Sequence, residues 1–166
     1  MNHTDLRTRS LRYEPLPAGL AAEASRTFVD DDGGRPLRCC LRDSRPGERL
    51  ALVAVTPDGP QGAYRETGPV FLHADGCSGP DGTGYPEEFR RRTQVFRAYD
   101  RSGAIVGGEV VRPGSGQEEA AARLLADPDV AFLQTRNVVH GCYMLTIRRS
   151  GGPGRGRRPE ADGVTA

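Results

Sequence analysis

Four cysteines and two histidines are the side chains of this sequence best suited to soft-metal or nucleophile chemistry: Cys39, Cys40, Cys77, Cys142, His73 and His140. A thiolate is both a metal ligand and a nucleophile, and nearby positive charge makes it readier for either. In "NVVHGCYML" His140 and Cys142 stand two residues apart, so an extended chain would aim both at one face, as it would Arg38 and Cys40. Cys77 follows His73 by four residues, in a glycine-rich stretch. Zinc accepts mixed cysteine and histidine sets, so Cys40, His73, Cys77 and Cys142 form a candidate ligand set with zinc as the candidate ion and His140 as a spare. The usual zinc signature, a cysteine pair two to four residues apart, is missing.

Thiol catalysis is the competing chemistry. Cys77 would be the accessible nucleophile there, His73 a base and Glu66 a proton carrier. The plainer alternative is that each cysteine fills core, since cysteine is among the most often buried residues.

Arginine supplies every basic side chain, 23 in all, against 22 acids; lysine is absent. That excludes Schiff-base chemistry from a side chain, and the near-balance argues against a nucleic-acid binder. Arg97 and Arg136 stand out because both lie inside apolar, strand-like runs, where a charge needs a partner. Glu66 is the natural one. With Arg38 they are the candidates for gripping an anionic small molecule through two-point contacts. No nucleotide-binding loop and no catalytic-triad signature occurs, and no apolar run approaches membrane-spanning length. The opening "MNHTDLRTRSLRYEP" lacks the apolar segment of a secretory signal. A cytoplasmic protein is expected, with free thiols in place of disulfides.

The elements that must position these residues read as follows. Residues 1–10 and 150–166 are expected to be a disordered leader and tail, flanking one globular domain over 11–149. "PLPAGLAAEA" suggests a short proline-initiated helical turn. "DDDGGRP" reads as a solvated loop, "LRCCLRD" as a short strand, and "RLALVAV" as a central strand. "PVFLHA" is a further strand, followed by a long loop, "DGCSGPDGTGYPEE". "QVFRAYDRSGAIVGGEVV" is a hairpin turning at Asp100–Gly103. "SGQEEAAARLLADP" is the main helix, with Ser115 and Glu118 as a capping box and Ala121, Leu124 and Leu125 facing the core. "VAFLQTRNVV" and "CYMLTIRR" are two strands, or one strand bulged at Gly141. The sum is an α+β fold: a mostly antiparallel sheet of about six strands, one packed helix and a short N-terminal helical turn.

In this order, "LRCCLRDSRPGE", "YRETGPVFLHADGC", "RAYDRSGAIVGG" and "TRNVVHGCYMLTIRR" resemble the bacterial family catalogued as domain of unknown function 1203, from about Leu11 to Arg149. The matching positions are Arg38, Cys40 and Leu41; Glu66, Gly68, Pro69, Phe71 and His73, then Cys77; Arg97, Tyr99 and Asp100; and Arg136, Asn137, Gly141 and Cys142. Cys39 and His140 fall outside the motif positions. The resemblance implies no activity, but it implies that Cys40, His73, Cys77 and Cys142 belong to one shared site.

Overall fold

The structure is a computed structural model that describes residues 10–151. Apart from Ser10, Ser150 and Gly151, the expected leader and tail lie outside the described residues. Ten strands occur in chain order among those residues: β1 (Leu11–Glu14), β2 (Arg26–Asp30), β3 (Pro36–Leu37), β4 (Arg42–Asp43), β5 (Glu48–Val55), β6 (Gly68–His73), β7 (Gln94–Tyr99), β8 (Ile105–Val111), β9 (Phe132–Asn137) and β10 (Tyr143–Arg149). One α-helix, α1 (Gln117–Leu125), joins them, with 3₁₀ turns at Ala18–Glu23, Gly62–Tyr64 and Glu87–Arg91.

The fold is α+β and mostly antiparallel, but with two five-stranded sheets where one of about six strands was expected. The first runs β1-β10-β9-β7-β8, and the second β2-β5-β6-β3-β4. Strands of two residues, such as β3 and β4, carry no periodicity a sequence could display. The strands buried on both faces also lose their alternation. β9 and β10 each bury their first five residues in a row.

Two cores follow from the two sheets. Under α1, Phe96, Leu133, Leu145 and Ile147 of the first sheet meet Ala121 and Leu125. The second core gathers Leu37, Leu50, Val53, Val70 and Leu72 of the second sheet, and Tyr143 reaches it from β10. Tyr143 thereby ties the sheets together. Fully burying one such leucine or phenylalanine contributes about 1.5–3 kcal/mol, so these clusters supply the rigid floor on which the polar residues stand.

Several local expectations change. Ser115 does not cap α1: Gly116 occupies the cap with φ +74°, and Glu118 turns instead to Arg90, whose guanidinium takes both carboxylate oxygens. Asp30, expected in a solvated loop, ends β2 and is 1% exposed, accepting from Ser44 Oγ at 2.5 Å and Arg35 Nε at 3.1 Å. "LRCCLRD" is a miniature hairpin, β3 and β4, and not one strand. β9 and β10 are separate antiparallel strands with a turn between them. The Asp100–Gly103 hairpin, the central position of β5 and the long loop after β6 are as the sequence suggests. No helix of the described residues is long and apolar enough to cross a membrane.

Candidate metal centre

Parallel pairing creates the site. β3 lies beside β6 with Leu37 level with Phe71 and Arg38 N–H donating to Phe71 O at 3.0 Å, and this brings Cys39 Sγ to 3.3 Å from the His73 backbone nitrogen, which donates to it. Arg38 to Leu41 then fold back through a turn closed by Leu41 N–H donating to Leu37 O at 3.0 Å. Leu41 takes φ +55°, alone among the described non-glycine residues. A left-handed leucine is strained, and burial of its side chain in the first sheet's core offsets the cost. This turn places two consecutive thiols, Cys39 and Cys40, against the histidine ring. After His73 the chain reverses through Gly76 (φ +103°) and brings Cys77 back to the same point.

One ligand atom from each of Cys39, Cys40, His73 and Cys77 lies within 4.8 Å of all the others. His73 Nδ1 is 3.5 Å from Cys39 Sγ and 3.8 Å from Cys40 Sγ. Tetrahedral zinc, with its ordinary bond lengths, would set sulfur–nitrogen edges at about 3.6 Å and sulfur–sulfur edges at about 3.8 Å. The group is thus close to ligand geometry, needing at most about 1 Å of contraction by that measure.

The imidazole is oriented from behind. Its Nε2 lies 3.3 Å from Glu48 Oε1 and 3.3 Å from a terminal nitrogen of Arg42, which also grips Glu48 at 2.6 and 3.0 Å. Glu48 stands two residues before Leu50, which faces His73 across β5 and β6, so alternation puts Glu48 on the same face. A carboxylate holding the distal nitrogen aims the proximal one at a ligand, as in carboxylate–histidine–metal arrangements. The Arg42 contact holds the Glu48 carboxyl down at about 2.

Charge in the group is shared. Two thiolates 4.8 Å apart would repel by about 3.5 kcal/mol at an effective dielectric near 20, so one negative charge suppresses the others. Hydrogen bonding from the Cys40 thiol, working against burial and helped by the His73 backbone N–H, lowers Cys39 to about 5. Cys40 is correspondingly raised, first because it is the donor to Cys39. Burial raises Cys77, against a hydrogen bond from Gly79 N–H at 3.5 Å. Cys39 is 2% exposed and Cys77 half-buried, while Cys40 also lines a cleft of about 330 Å³ with Arg42, Arg45, Tyr85 and Glu88.

Three of the four expected ligands therefore come together: Cys40, His73 and Cys77. Cys142 does not. It sits in the β9–β10 turn with its thiol toward His140 O at 3.6 Å, and Cys39 takes the fourth place. Arg38 and Cys40 are not set on one strand face as expected, because the chain there turns and is not extended. His140 is exposed in the β9–β10 turn, its backbone N–H on Asn137 Oδ1. Cys39, Glu48 and Arg42 were missed. The adjacency of Cys39 to Cys40 was the available hint, but nothing local announces the turn that makes both face inward.

The arginines separate from this centre. Arg38 is 3% exposed and donates from Nε to Tyr143 O at 2.8 Å and from a terminal nitrogen to Pro36 O. It fastens the second sheet to the first, and burial pushes it down to about 10. Arg97 and Arg136 lie on β7 and β9, where both reach Glu66 Oε2, at 2.6 and 2.7 Å. Glu66 precedes the first residue of β6 and His73 is its last, so the two polar groups occupy opposite ends of that strand.

A family model described as "Protein of unknown function (DUF1203)" matches residues 34–149. The chain belongs to this family. No curated protein and no solved structure matches it. The DUF1203 region begins just before the β3–β4 hairpin, so it includes the whole cysteine–histidine group and both sides of the Glu66 cluster.

Proposed function

We propose that this DUF1203 protein is a cytoplasmic zinc-binding domain, with Cys39, Cys40, Cys77 and His73 as a closed Cys₃His ligand set. The observation that carries this reading is the convergence of four ligand atoms within 4.8 Å, with sulfur–nitrogen separations of 3.5 and 3.8 Å. Glu48 is the outer carboxylate that holds His73 for the ion. Binding would displace protons from Cys40 and Cys77 and relieve the thiolate repulsion that otherwise leaves the group with one charge. With four protein ligands no position stays open for water, so the ion's role is structural: it pins the loop after β6 onto the β3–β4 hairpin.

Thiol catalysis fits less well. The thiol whose pKa is lowered, Cys39, is almost fully buried, while burial works against ionisation of the more accessible Cys77. A nucleophile needs both charge and access, and these two residues divide them.

Elemental analysis of untagged protein purified under reducing conditions, with a thiol titration, tests the proposal. About one zinc per chain is expected, with Cys142 reacting freely and three thiols protected until chelator is added. Absence of metal together with four freely reacting thiols overturns it, and leaves a thiol enzyme or a noncatalytic binding module.

A further inference from the structure

The zinc reading leaves Arg97, Arg136 and Glu66 unused. Their arrangement is unusual for a simple brace. Both guanidinium groups converge on one oxygen, Oε2 of Glu66, so two positive charges meet a single negative one. Arg136 is the deeper, at 8% exposed, and its donors are unevenly used. One terminal nitrogen reaches Gly141 O at 3.4 Å, the other reaches Glu66, and the buried Nε has no partner. A buried charged donor left bare is costly. Fixing one glutamate would need neither the second arginine nor an idle Nε pointing into the protein.

The strands build this pair for a geometric reason. Val95 and Arg97 alternate onto one face of β7, and Gln134 and Arg136 onto the same face of the sheet in β9, with Arg97 level with Gln134 and Arg136 level with Val95. The two arginines are therefore diagonal neighbours, near enough for both guanidinium groups to address one small group. Glu66, by contrast, belongs to a strap between β5 and β6. The strap is pinned at its start, where Gln134 Nε2 donates to Asp58 O at 3.1 Å, and at its base, where Thr56 and Thr67 hydroxyls meet at 2.6 Å. Gln61 N–H also donates to Gly103 O at 3.2 Å, yet residues 61–67 are all exposed, and the Glu66 side chain is itself 45% exposed. The partner of two well-placed arginines is the most exposed member of the cluster.

We propose that Arg97 and Arg136 form a binding site for a small carboxylic acid in its anionic form, and that Glu66 fills it as a built-in substitute when no ligand is present. The class follows from the occupant: a carboxylate oxygen already bridges the two guanidinium groups, and a ligand carboxylate would take the same place while leaving Glu66 to swing into solvent. A ligand with a second oxygen facing inward would also reach the bare Arg136 Nε. The site is independent of the cysteine–histidine group at the far end of β6, and neither stands or falls with the other.

The test is a titration followed by the arginine Nε–Hε signals in NMR spectra of the full chain, with acetate and, separately, inorganic phosphate as probes. In Glu66→Gln the competing charge is gone, and saturable acetate shifts of the Arg136 Nε–Hε signal are expected at a concentration at least tenfold lower than in the wild type. Adding Arg97→Gln should weaken acetate binding at least tenfold again; Arg97 is used because Arg136 is too buried to replace safely. The wild type provides a measurement free of folding risk, since high acetate should still shift the same signal saturably. No saturable shift in the wild type, equal affinity in wild type and Glu66→Gln, or binding indifferent to Arg97→Gln overturns the proposal. Phosphate binding without acetate binding overturns the carboxylate assignment.

Discussion

Cys77→Ser isolates the metal from the fold. In the absence of metal the half-buried Cys77 side chain accepts from Gly79 N–H at 3.5 Å, meets the Cys39 and Cys40 thiols and packs at the margin of the second core, contacts that a serine largely keeps. A hydroxyl of similar size should change the apo stability by no more than about 0.5 kcal/mol. The metal-loaded form should respond very differently. Structural zinc sites bind with about 10–16 kcal/mol near neutral pH, so one ligand of four accounts for roughly 2.5–4 kcal/mol, or about a hundredfold to a thousandfold in affinity. At free zinc a hundred times the wild-type Kd, the ion stabilises the wild type by about 2.7 kcal/mol, and a variant a hundredfold weaker by only about 0.4. The difference of about 2.3 kcal/mol corresponds to a Tm gap of roughly 5–10 °C for a domain of this size. Thermal melts of both proteins, with buffered zinc and with chelator, measure it. Coincident curves in chelator and separated curves in zinc are expected. Coincident curves in both conditions would refute the ligand assignment, and separated curves in chelator would show that Cys77 serves the fold itself.

Other perturbations reach the site's supports. Glu48→Gln keeps the side chain's shape but removes the charge held between Arg42 and His73 Nε2; zinc affinity, read by chelator competition, should fall about 10–100-fold, and an unchanged affinity would mean that His73 needs no orientation from behind. Asp30 holds Ser44 and Arg35, and these contacts keep its pKa below 3.8 despite burial. Its ionised form thus stabilises the fold above that value and stops doing so as pH falls through the lowered folded pKa. Asp30→Asn should therefore be destabilised by about 2 kcal/mol in urea melts near pH 7, with the gap to wild type closing as pH falls below the ordinary aspartate range; a gap independent of pH would contradict the assignment. Gly103 has φ +82°, and a Cβ there would lie 2.5 Å from Gly59 O and 2.7 Å from Gln61 N in the strap. Gly103→Ala should lower stability by more than about 1 kcal/mol, measured by chemical denaturation, and a neutral result would mean the strap does not rest on the hairpin as described.

The central position of β5 is visible as a continuous apolar run, and the β7–β8 hairpin as two strand-like runs around Asp100–Gly103, because side-chain pattern and turn chemistry are local properties. The pairing of Arg97 and Arg136 with Glu66 was also readable, since charges within apolar strands demand a partner. His73, Cys40 and Cys77 stood out through residue type alone. What residue type cannot express is which strands lie side by side. Cys39 and His73 are 34 residues apart and become neighbours only through the parallel pairing of β3 with β6. Cys40 turns inward only because Leu41 accepts a left-handed backbone that its burial in the other sheet's core offsets. Glu48 reaches His73 through the β5–β6 register, and Cys142 is kept outside the group by the turn between β9 and β10. The sequence by itself determined the chemistry on offer, three thiols and an imidazole; long-range strand pairing, which no local interaction specifies, decided which thiols those were.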